Sequence, residues 1–328
     1  YNNYIGVPLS LSNLENDHKY GVFEIGMSNT GEIRKLSNLV KPDIGIITNI
    51  GEAHIKNFDN LNGIAKAKSE IIENISKGGY LILNSDGRYF NYFSRLAKKN
   101  KINVLSFGVS NKSDAKLLKN KICKNYNDLH FKVLEKDVRL KARNINSLTI
   151  SNILFTLLTL NILDLEITKI VNFSNHFQSV EGRGKMHFIS RFKKNFQLID
   201  ESYNANPSSV INAINNFSSI KKKNKKKFLL LGDMLELGKK SDNYHKNLAH
   251  FINQSDIDKL FVYGKNAFKT YQKTYKAKQG NILQNLNDFD EIFSDIINTH
   301  DYLMIKGSNA TGLNRLSKII IAGNKYAL

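Results

Sequence analysis

The residues best suited to chemistry in this chain form one polar run, Asp200-Glu201-Ser202-Tyr203-Asn204-Ala205-Asn206-Pro207-Ser208-Ser209. It follows the apolar run Phe196-Gln197-Leu198-Ile199, which reads as a buried strand. It precedes Val210 to Phe217, whose apolar residues recur at helical spacing, with Pro207 where the helix begins. In open α/β sheets, ligands bind at the carboxyl ends of strands. A helix cap would account for one Asp, Asn or Ser here. This loop carries two acids, two amides, a tyrosine and several serines, so it reads as a ligand loop.

Two further acid and base groups stand at expected strand ends. Glu24 closes an apolar run and leads into Gly26-Met27-Ser28-Asn29. Asn49 closes the next run, and His54 follows in Thr48-Asn49-Ile50-Gly51-Glu52-Ala53-His54. Alone, a strand-end Glu is a solvated side chain. Together the two place a carboxylate and an imidazole on one rim of one sheet, as a divalent cation with phosphate requires. Mg²⁺ prefers oxygen ligands, whereas histidine suits Mn²⁺ or zinc. Lys66 and Lys68 lie in Ala65-Lys66-Ala67-Lys68-Ser69-Glu70, read as the start of a helix. They are either a solvated turn or point charges for phosphate. Gly232-Asp233-Met234-Leu235-Glu236-Leu237-Gly238 offers acids that either hold an amine or cap a helix. Lys306-Gly307-Ser308 suits a carboxylate, and Arg183 is placed to reach a nucleotide from a linker.

The elements that must position these groups alternate between strand and helix. Strands are expected at Tyr20 to Glu24, Ile44 to Asn49, Tyr80 to Asn84 and Val104 to Phe107, with helices near Glu32 to Val40, Leu61 to Ile75 and Phe90 to Lys99. Asp128 to Leu140 reads as irregular β structure and Ile150 to Leu163 as a strongly apolar helix. Gln178 to Gly184, with two glycines, is the best linker. Beyond it, strands are expected at Met186 to Ile189, Gln197 to Asp200, Phe228 to Leu231, Leu260 to Tyr263 and Tyr302 to Ile305. The pattern predicts two α/β domains with mostly parallel sheets, residues 1–180 and 181–328, meeting at a ligand cleft. No Gly-x-x-x-x-Gly-Lys-Ser/Thr phosphate loop is present.

Composition narrows the class. The 328 residues allow about two domains. No run approaches the roughly 18 apolar residues of a membrane span. The single Cys123 excludes an internal disulfide framework and a multi-cysteine zinc site, and fits a reducing cytoplasm. The net charge of +19 is spread along the chain. Its densest block, Lys221 to Lys227, is expected to be a solvated loop. Basic residues are not interleaved with aromatics, which argues against nucleic acid as a partner. The first residue is Tyr1 rather than Met, so a fragment or a processed chain is expected.

These motifs resemble the Mur ligase family over essentially the whole chain. The resemblance rests on Asn2 to Leu9, Glu24-Ile25-Gly26, Thr48 to His54, Lys66 to Glu70, Asp200 to Pro207, Gly232 to Gly238 and Lys306-Gly307-Ser308. The loop at 200–207 and the Gly-Asp-Met-Leu-Glu-Leu-Gly run are distinctive of the branch that adds D-alanyl-D-alanine to UDP-N-acetylmuramoyl-tripeptide, through an acyl phosphate, in peptidoglycan precursor synthesis. The resemblance implies a central ATPase domain without its opening strand and phosphate loop, followed by a C-terminal Rossmann-like domain. An N-terminally truncated chain, inactive by itself, is therefore expected. ATP and Mg²⁺ are the implied cofactors; UDP-N-acetylmuramoyl-tripeptide and D-alanyl-D-alanine are the implied partners. A cytoplasmic monomer without membrane insertion is expected.

Site residues follow from the same resemblance. Glu24 and His54 match metal-holding positions, and Lys68 a lysine that becomes carbamylated, with Lys66 the neighbouring candidate. Asn49 belongs to the nucleotide site. Asn152 matches an Asn near adenine, although the chain has Leu148 where the family has a His. Arg183 and Asp200 match ATP contacts, the Asp towards the ribose. Tyr203, Asn204 and Asn206 line the same cleft, and Lys306 and Ser308 sit where peptide substrates meet the C-terminal domain. The alternatives are a folylpolyglutamate or cyanophycin type of ligase, against which the Tyr-Asn-Ala-Asn-Pro loop argues, and a non-catalytic α/β binding module.

Overall fold

Alternating runs of strand and helix residues build two units, Tyr1–Phe177 and Gln178–Leu328. The computed structural model describes residues 2–123, 126–142, 147–167, 180–221 and 224–323. Gln178 and Ser179 of the expected linker, and Lys222 and Lys223 of the lysine block, lie outside the described residues.

The first unit holds a six-stranded sheet in the order β1-β2-β3-β4-β5-β6. Its strands are β1 (Ile44–Ile47), β2 (Tyr80–Asn84), β3 (Asn103–Gly108), β4 (Ala115–Ile122), β5 (Asn127–Val133) and β6 (Lys136–Ala142). β1 to β4 pair in parallel, and β4 to β6 form an antiparallel meander. Leu81 and Leu83 of β2 pack with Ala65, Phe93 and Ala97 of helices α3 (Leu61–Ser69) and α4 (Phe90–Lys99). Ile82 between them packs with Leu154, Leu157 and Leu158 of helix α5 (Ser147–Ile162). The two-residue alternation of a strand thus feeds two cores, one on each face.

Several expectations are corrected here. Tyr20 to Glu24 is not a strand: Val22 is 97 % exposed and no described strand pairs with the segment. Its β-forming residues lack the neighbour that a ladder requires. The helix expected over Leu61 to Ile75 ends at Ser69 and continues as a 3₁₀ turn, Glu70–Asn74. Lys66 and Lys68 therefore sit in the last turn of α3, where their charge suits the helix dipole. Lys119 and Lys121 of β4 broke the apolar pattern, so sequence reading missed that strand.

The 3₁₀ turn has a structural purpose. Glu70 is buried, and its carboxylate accepts from the Gly31 amide at 2.8 and 3.0 Å and from the Arg34 amide at 3.1 Å. Gly31 and Arg34 open helix α2 (Glu32–Val40), so an acid on one element caps the next. α1 (Gly6–Ser12) precedes α2.

The second unit holds a sheet in the order β11-β10-β9-β12-β8-β7. Its strands are β7 (Lys185–Arg191), β8 (Lys194–Glu201), β9 (Lys227–Gly232), β10 (Lys259–Tyr263), β11 (Gln279–Leu283) and β12 (Tyr302–Lys306). All pairs are parallel except the β7–β8 hairpin. Its helices are α6 (Pro207–Ser219), α7 (Ser241–Gln254), α8 (Ala267–Lys273), α9 (Asp288–Ile296) and α10 (Leu313–Ala322). Phe289 and Phe293 of α9 and Leu316 of α10 pack on Phe228, Phe261 and Leu303 of the sheet. β12 lies between β8 and β9, so the chain reverses direction of growth beside it; such a switch point is where ligands bind in open sheets.

Lys227 departs from the solvated loop expected of its block. It opens β9 and is fully buried. Its ammonium donates to both Asp256 oxygens at 2.8 Å and to the Ser218 carbonyl at 2.9 Å, which satisfies the desolvated charge.

The capping role of Glu70 predicts an asymmetry between neighbouring acids. Glu70→Ala should lower unfolding free energy by about 2 kcal/mol, because two helix-opening amides lose a buried acceptor. Glu73→Ala breaks only an exposed pair with Arg34 and should cost less than about 1 kcal/mol. Urea unfolding of both variants measures the difference; equal losses would contradict the assignment.

Candidate functional site

The carboxyl ends of β8, β12 and β9, adjacent in the sheet, carry the loops 202–206, 307–312 and 233–237. These are the segments singled out in the sequence, and hydrogen bonds tie them together. Asp200, the penultimate residue of β8, is 3 % exposed. One carboxylate oxygen accepts from the Gly182 amide at 2.9 Å; the other accepts from the Ser202 hydroxyl at 2.6 Å and its amide at 3.2 Å. Asp200 thus shapes both its own loop and the 181–184 turn. Gly182 has φ of 74°, and a Cβ there would meet the Tyr203 Cβ at 2.8 Å, so only glycine fits without a shift. The Arg183 guanidinium stacks over the Tyr203 ring at 4.6 Å, and Tyr203 is 50 % exposed.

The amides of the loop are spent locally. The Asn206 side chain accepts from the Ser209 amide at 2.9 Å, and the Ser209 hydroxyl accepts from the Asn206 amide at 3.0 Å. This capping box starts α6, with Pro207 in its first turn. Asn204 is exposed, and its side-chain oxygen accepts from the Ala205 amide.

Lys306 ends β12 and is 2 % exposed. Its ammonium donates to the Asn204 carbonyl at 2.7 Å, the Glu201 carboxylate at 3.3 Å and the Glu201 carbonyl at 3.4 Å. Burial lowers its pKa, and the Glu201 charge opposes that shift. The Ser308 hydroxyl accepts from the Leu235 amide at 2.9 Å and donates to the Ala205 carbonyl at 3.3 Å. One serine therefore joins two loops. Asp233 resolves the earlier alternative in favour of a cap: its carboxylate accepts from the Asn266 and Ala267 amides at 2.9 and 2.7 Å, at the start of α8.

In the first unit, Lys68 and Glu24 are brought near each other. Burial lowers the Lys68 pKa, and the Glu24 charge partly restores it. Lys66 is exposed. Glu24 leaves the strand end expected for it: it is exposed, in the unpaired segment, and accepts from the Asn2 side chain at 2.8 Å. His54 has φ of 61°, in the left-handed region that favours glycine. Among the described residues, no group of three or more His, Cys, Asp or Glu side chains could hold a metal ion. As an ammonium, Lys68 supplies no metal ligand. As a carbamate it would put two oxygens beside the Glu24 carboxylate, hard donors that suit a divalent cation.

Asn49 lies just beyond β1, on the wall of a cavity of about 80 Å³ at the carboxyl ends of β1 and β2, with Asn84, Arg88 and Tyr89. Asn152 is exposed on α5, where its carbonyl accepts from the Thr156 hydroxyl. A larger hollow of about 420 Å³ lies at the opposite, amino-terminal ends of β9, β10 and β11, beside Lys226, Lys259 and Gln279. The loops at the carboxyl ends carry the denser polar network. Sequence reasoning missed His245, which holds the 233–237 loop from α7. A lone histidine on an apolar helix face gives no signal of such a role. Among the described residues, no helix is long and apolar enough to cross a membrane.

Comparison with known proteins places these features in a family. Residues 1–160 match the Mur ligase middle domain, and residues 184–309 match the family described as Mur ligase, glutamate ligase domain. The UDP-N-acetylmuramoyl-tripeptide--D-alanyl-D-alanine ligase of Rickettsia prowazekii is 30% identical over 317 residues, covering 96% of this chain and 69% of the relative. The ligase of the same name from Buchnera aphidicola (from Acyrthosiphon pisum) is 30% identical over 340 residues, covering 99% and 70%. The fold is similar to that of MurF from Acinetobacter baumannii, with a TM-score of 0.86 at 24% identity, covering 98% of this chain and 69% of that one. MurF from Thermotoga maritima, solved with ADP, gives a TM-score of 0.83 at 21% identity, covering 97% and 70%. The expected fold, a mostly parallel α/β domain followed by a Rossmann-like one, is thereby borne out, and the chain belongs to the Mur ligase family.

Proposed function

We propose that this chain carries the ATP-dependent ligase chemistry that joins D-alanyl-D-alanine to UDP-N-acetylmuramoyl-tripeptide in peptidoglycan precursor synthesis. The observation that carries the reading is the 30% identity, over 96% and 99% of this chain, to two ligases of that name. The two loops distinctive of that branch also meet at one residue, Ser308.

Amide formation from a carboxylate faces two obstacles: the anion repels nucleophiles, and it lacks a leaving group. Transfer of the ATP γ-phosphoryl to the substrate carboxylate gives ADP and an acyl phosphate. The dipeptide amine then attacks the acyl carbon, the C–O bond to phosphate breaks, and phosphate and a proton leave. An α-amino group of pKa near 8 is neutral for only about a tenth of the time at pH 7, so the site must favour the neutral amine. A divalent cation held by Glu24, His54 and carbamylated Lys68 would screen the repulsion between the two anions.

The chain's own residues prepare these steps. Burial raises the neutral fraction of the Lys68 amine, which is the form that adds to CO₂; a carbamate forms as one proton is released. Asp200 holds the 181–184 turn, so that Arg183 and Tyr203 present a stacked cation and ring to the nucleotide. Asn49 and Asn152 are the first unit's own candidates for nucleotide contact. Lys306 and Ser308 act on the peptide substrates through the loops they bind, with Asn204 and Asn206 fixing the shape of one of them.

Phosphate release by the full-length enzyme tests the reading. ATP should be consumed only when UDP-N-acetylmuramoyl-tripeptide and D-alanyl-D-alanine are both present; release indifferent to the dipeptide would overturn it. Carbamylation has its own readout. With ¹³C-bicarbonate, the protein should show a lysine carbamate resonance that survives Lys66→Arg and disappears in Lys68→Arg. A signal lost in Lys66→Arg, or retained in Lys68→Arg, would refute the assignment to Lys68.

A further inference from the structure

Helix α7 carries a histidine that is fully buried yet bonded at both ring nitrogens. His245 Nδ1 lies 2.8 Å from the Ser241 carbonyl oxygen, which can only accept, so Nδ1 carries the proton. Nε2 lies 3.0 Å from the Met234 amide, which can only donate, so Nε2 is the bare acceptor. The ring is therefore neutral and held in one tautomer. Burial disfavours a second proton, as does the positive charge of Lys269; Asp233, Asp242 and the Ser241 carbonyl act the other way.

The amide held by the ring belongs to the loop after β9. Its neighbour, the Leu235 amide, donates to Ser308 Oγ, which in turn donates to the Ala205 carbonyl. The other side of the loop is fixed by Asp233 on the start of α8, and α8 is tied back to α7 by Thr270, whose hydroxyl donates to the His245 carbonyl at 2.7 Å. Beyond Leu235 the chain turns through Glu236 at φ of 61°, and both residues are exposed at the loop tip. Met234 is buried, so its amide needs an acceptor within the protein. The imidazole supplies one from a rigid helix.

We propose that His245 is a positioning residue for the acceptor dipeptide: its Nε2 orients the 233–235 backbone so that the Leu235 amide and Ser308 hold the dipeptide-facing loops in register. The inference rests on the ligase reading above. It goes beyond that reading by assigning a role to a buried residue that the reading does not use.

Two substitutions separate this role from that of a satisfied core histidine. Gln can place an acceptor near the Nε2 position; Asn is too short to reach Met234 and can replace only the Nδ1 bond to Ser241. In the full-length enzyme, His245→Asn should raise KM for D-alanyl-D-alanine about tenfold, the worth of one buried hydrogen bond. Its KM for ATP should stay within about twofold, since the lost bond is at Met234, in the 233–237 loop, while Asp200 and Gly182 still hold Tyr203 and Arg183. His245→Gln should recover most of the dipeptide KM. Equal rises in both KM values, or no recovery with Gln, would overturn the proposal. Dipeptide-dependent phosphate release by the unsubstituted enzyme is measured first, so failure of the ligase reading shows there and not in the variants. If His245→Asn does not fold, ¹⁵N-imidazole spectra of the unsubstituted protein decide: a bare Nε2 at neutral pH supports the role, and a protonated Nε2 excludes it.

Discussion

A lysine ammonium buried at the end of β12 is the constraint on which the rest of the second unit's site depends. Lys306 is 2 % exposed. Taking such a charge out of water costs several kcal/mol unless its donors are satisfied. Here the three N–H groups meet two carbonyls and a carboxylate, all from residues 201–204 of the neighbouring strand and loop. The Glu201 carboxylate supplies the opposite charge, and it is itself half-buried. The loop cannot move away without stranding the ammonium, so the charge fixes loop geometry by the penalty of losing its partners.

Other bonds extend that constraint across the sheet. Ser308, two residues beyond Lys306, reaches the 205 carbonyl on one side and the 235 amide on the other. Asp200 closes the far end by holding the Gly182 amide. The polar groups of the three loops are mostly engaged with one another, which leaves the exposed Tyr203, Arg183, Asn204, Leu235 and Glu236 at the surface of a braced frame. Frames of this kind suit reactions whose rate depends on orientation, since the ordering cost is met in folding rather than at the moment of reaction.

Much of this was legible in the sequence, for identifiable reasons. The central strands β2, β3, β9, β10 and β12 are short apolar runs bounded by polar residues, and such runs need no partner information to be recognised. The loop after β8 was legible because its polar residues exceed what one cap can use. The reverse was true where tertiary partners decide. Tyr20 to Glu24 has strand-forming residues without a strand beside it among the described residues, whereas Lys227 sits in a run of lysines yet is buried, because Asp256 and Ser218 lie within reach of it. β4 is mostly exposed, so its lysines masked it. Glu70 looked like part of a charged helix and proved to be the cap of another. Lys306 read as a seat for a substrate carboxylate; its donors are turned towards the protein itself.

Amide hydrogen exchange in Lys306→Met tests the central claim most directly. Met keeps the length and apolar stem while removing the charge. The account predicts that the amides of Tyr203 and Ala205 lose at least about tenfold in protection, more than those in β8, β9 and β12, which lose only what an unpaired Glu201 takes from global stability. Unaltered protection at 202–206 in the variant would contradict it.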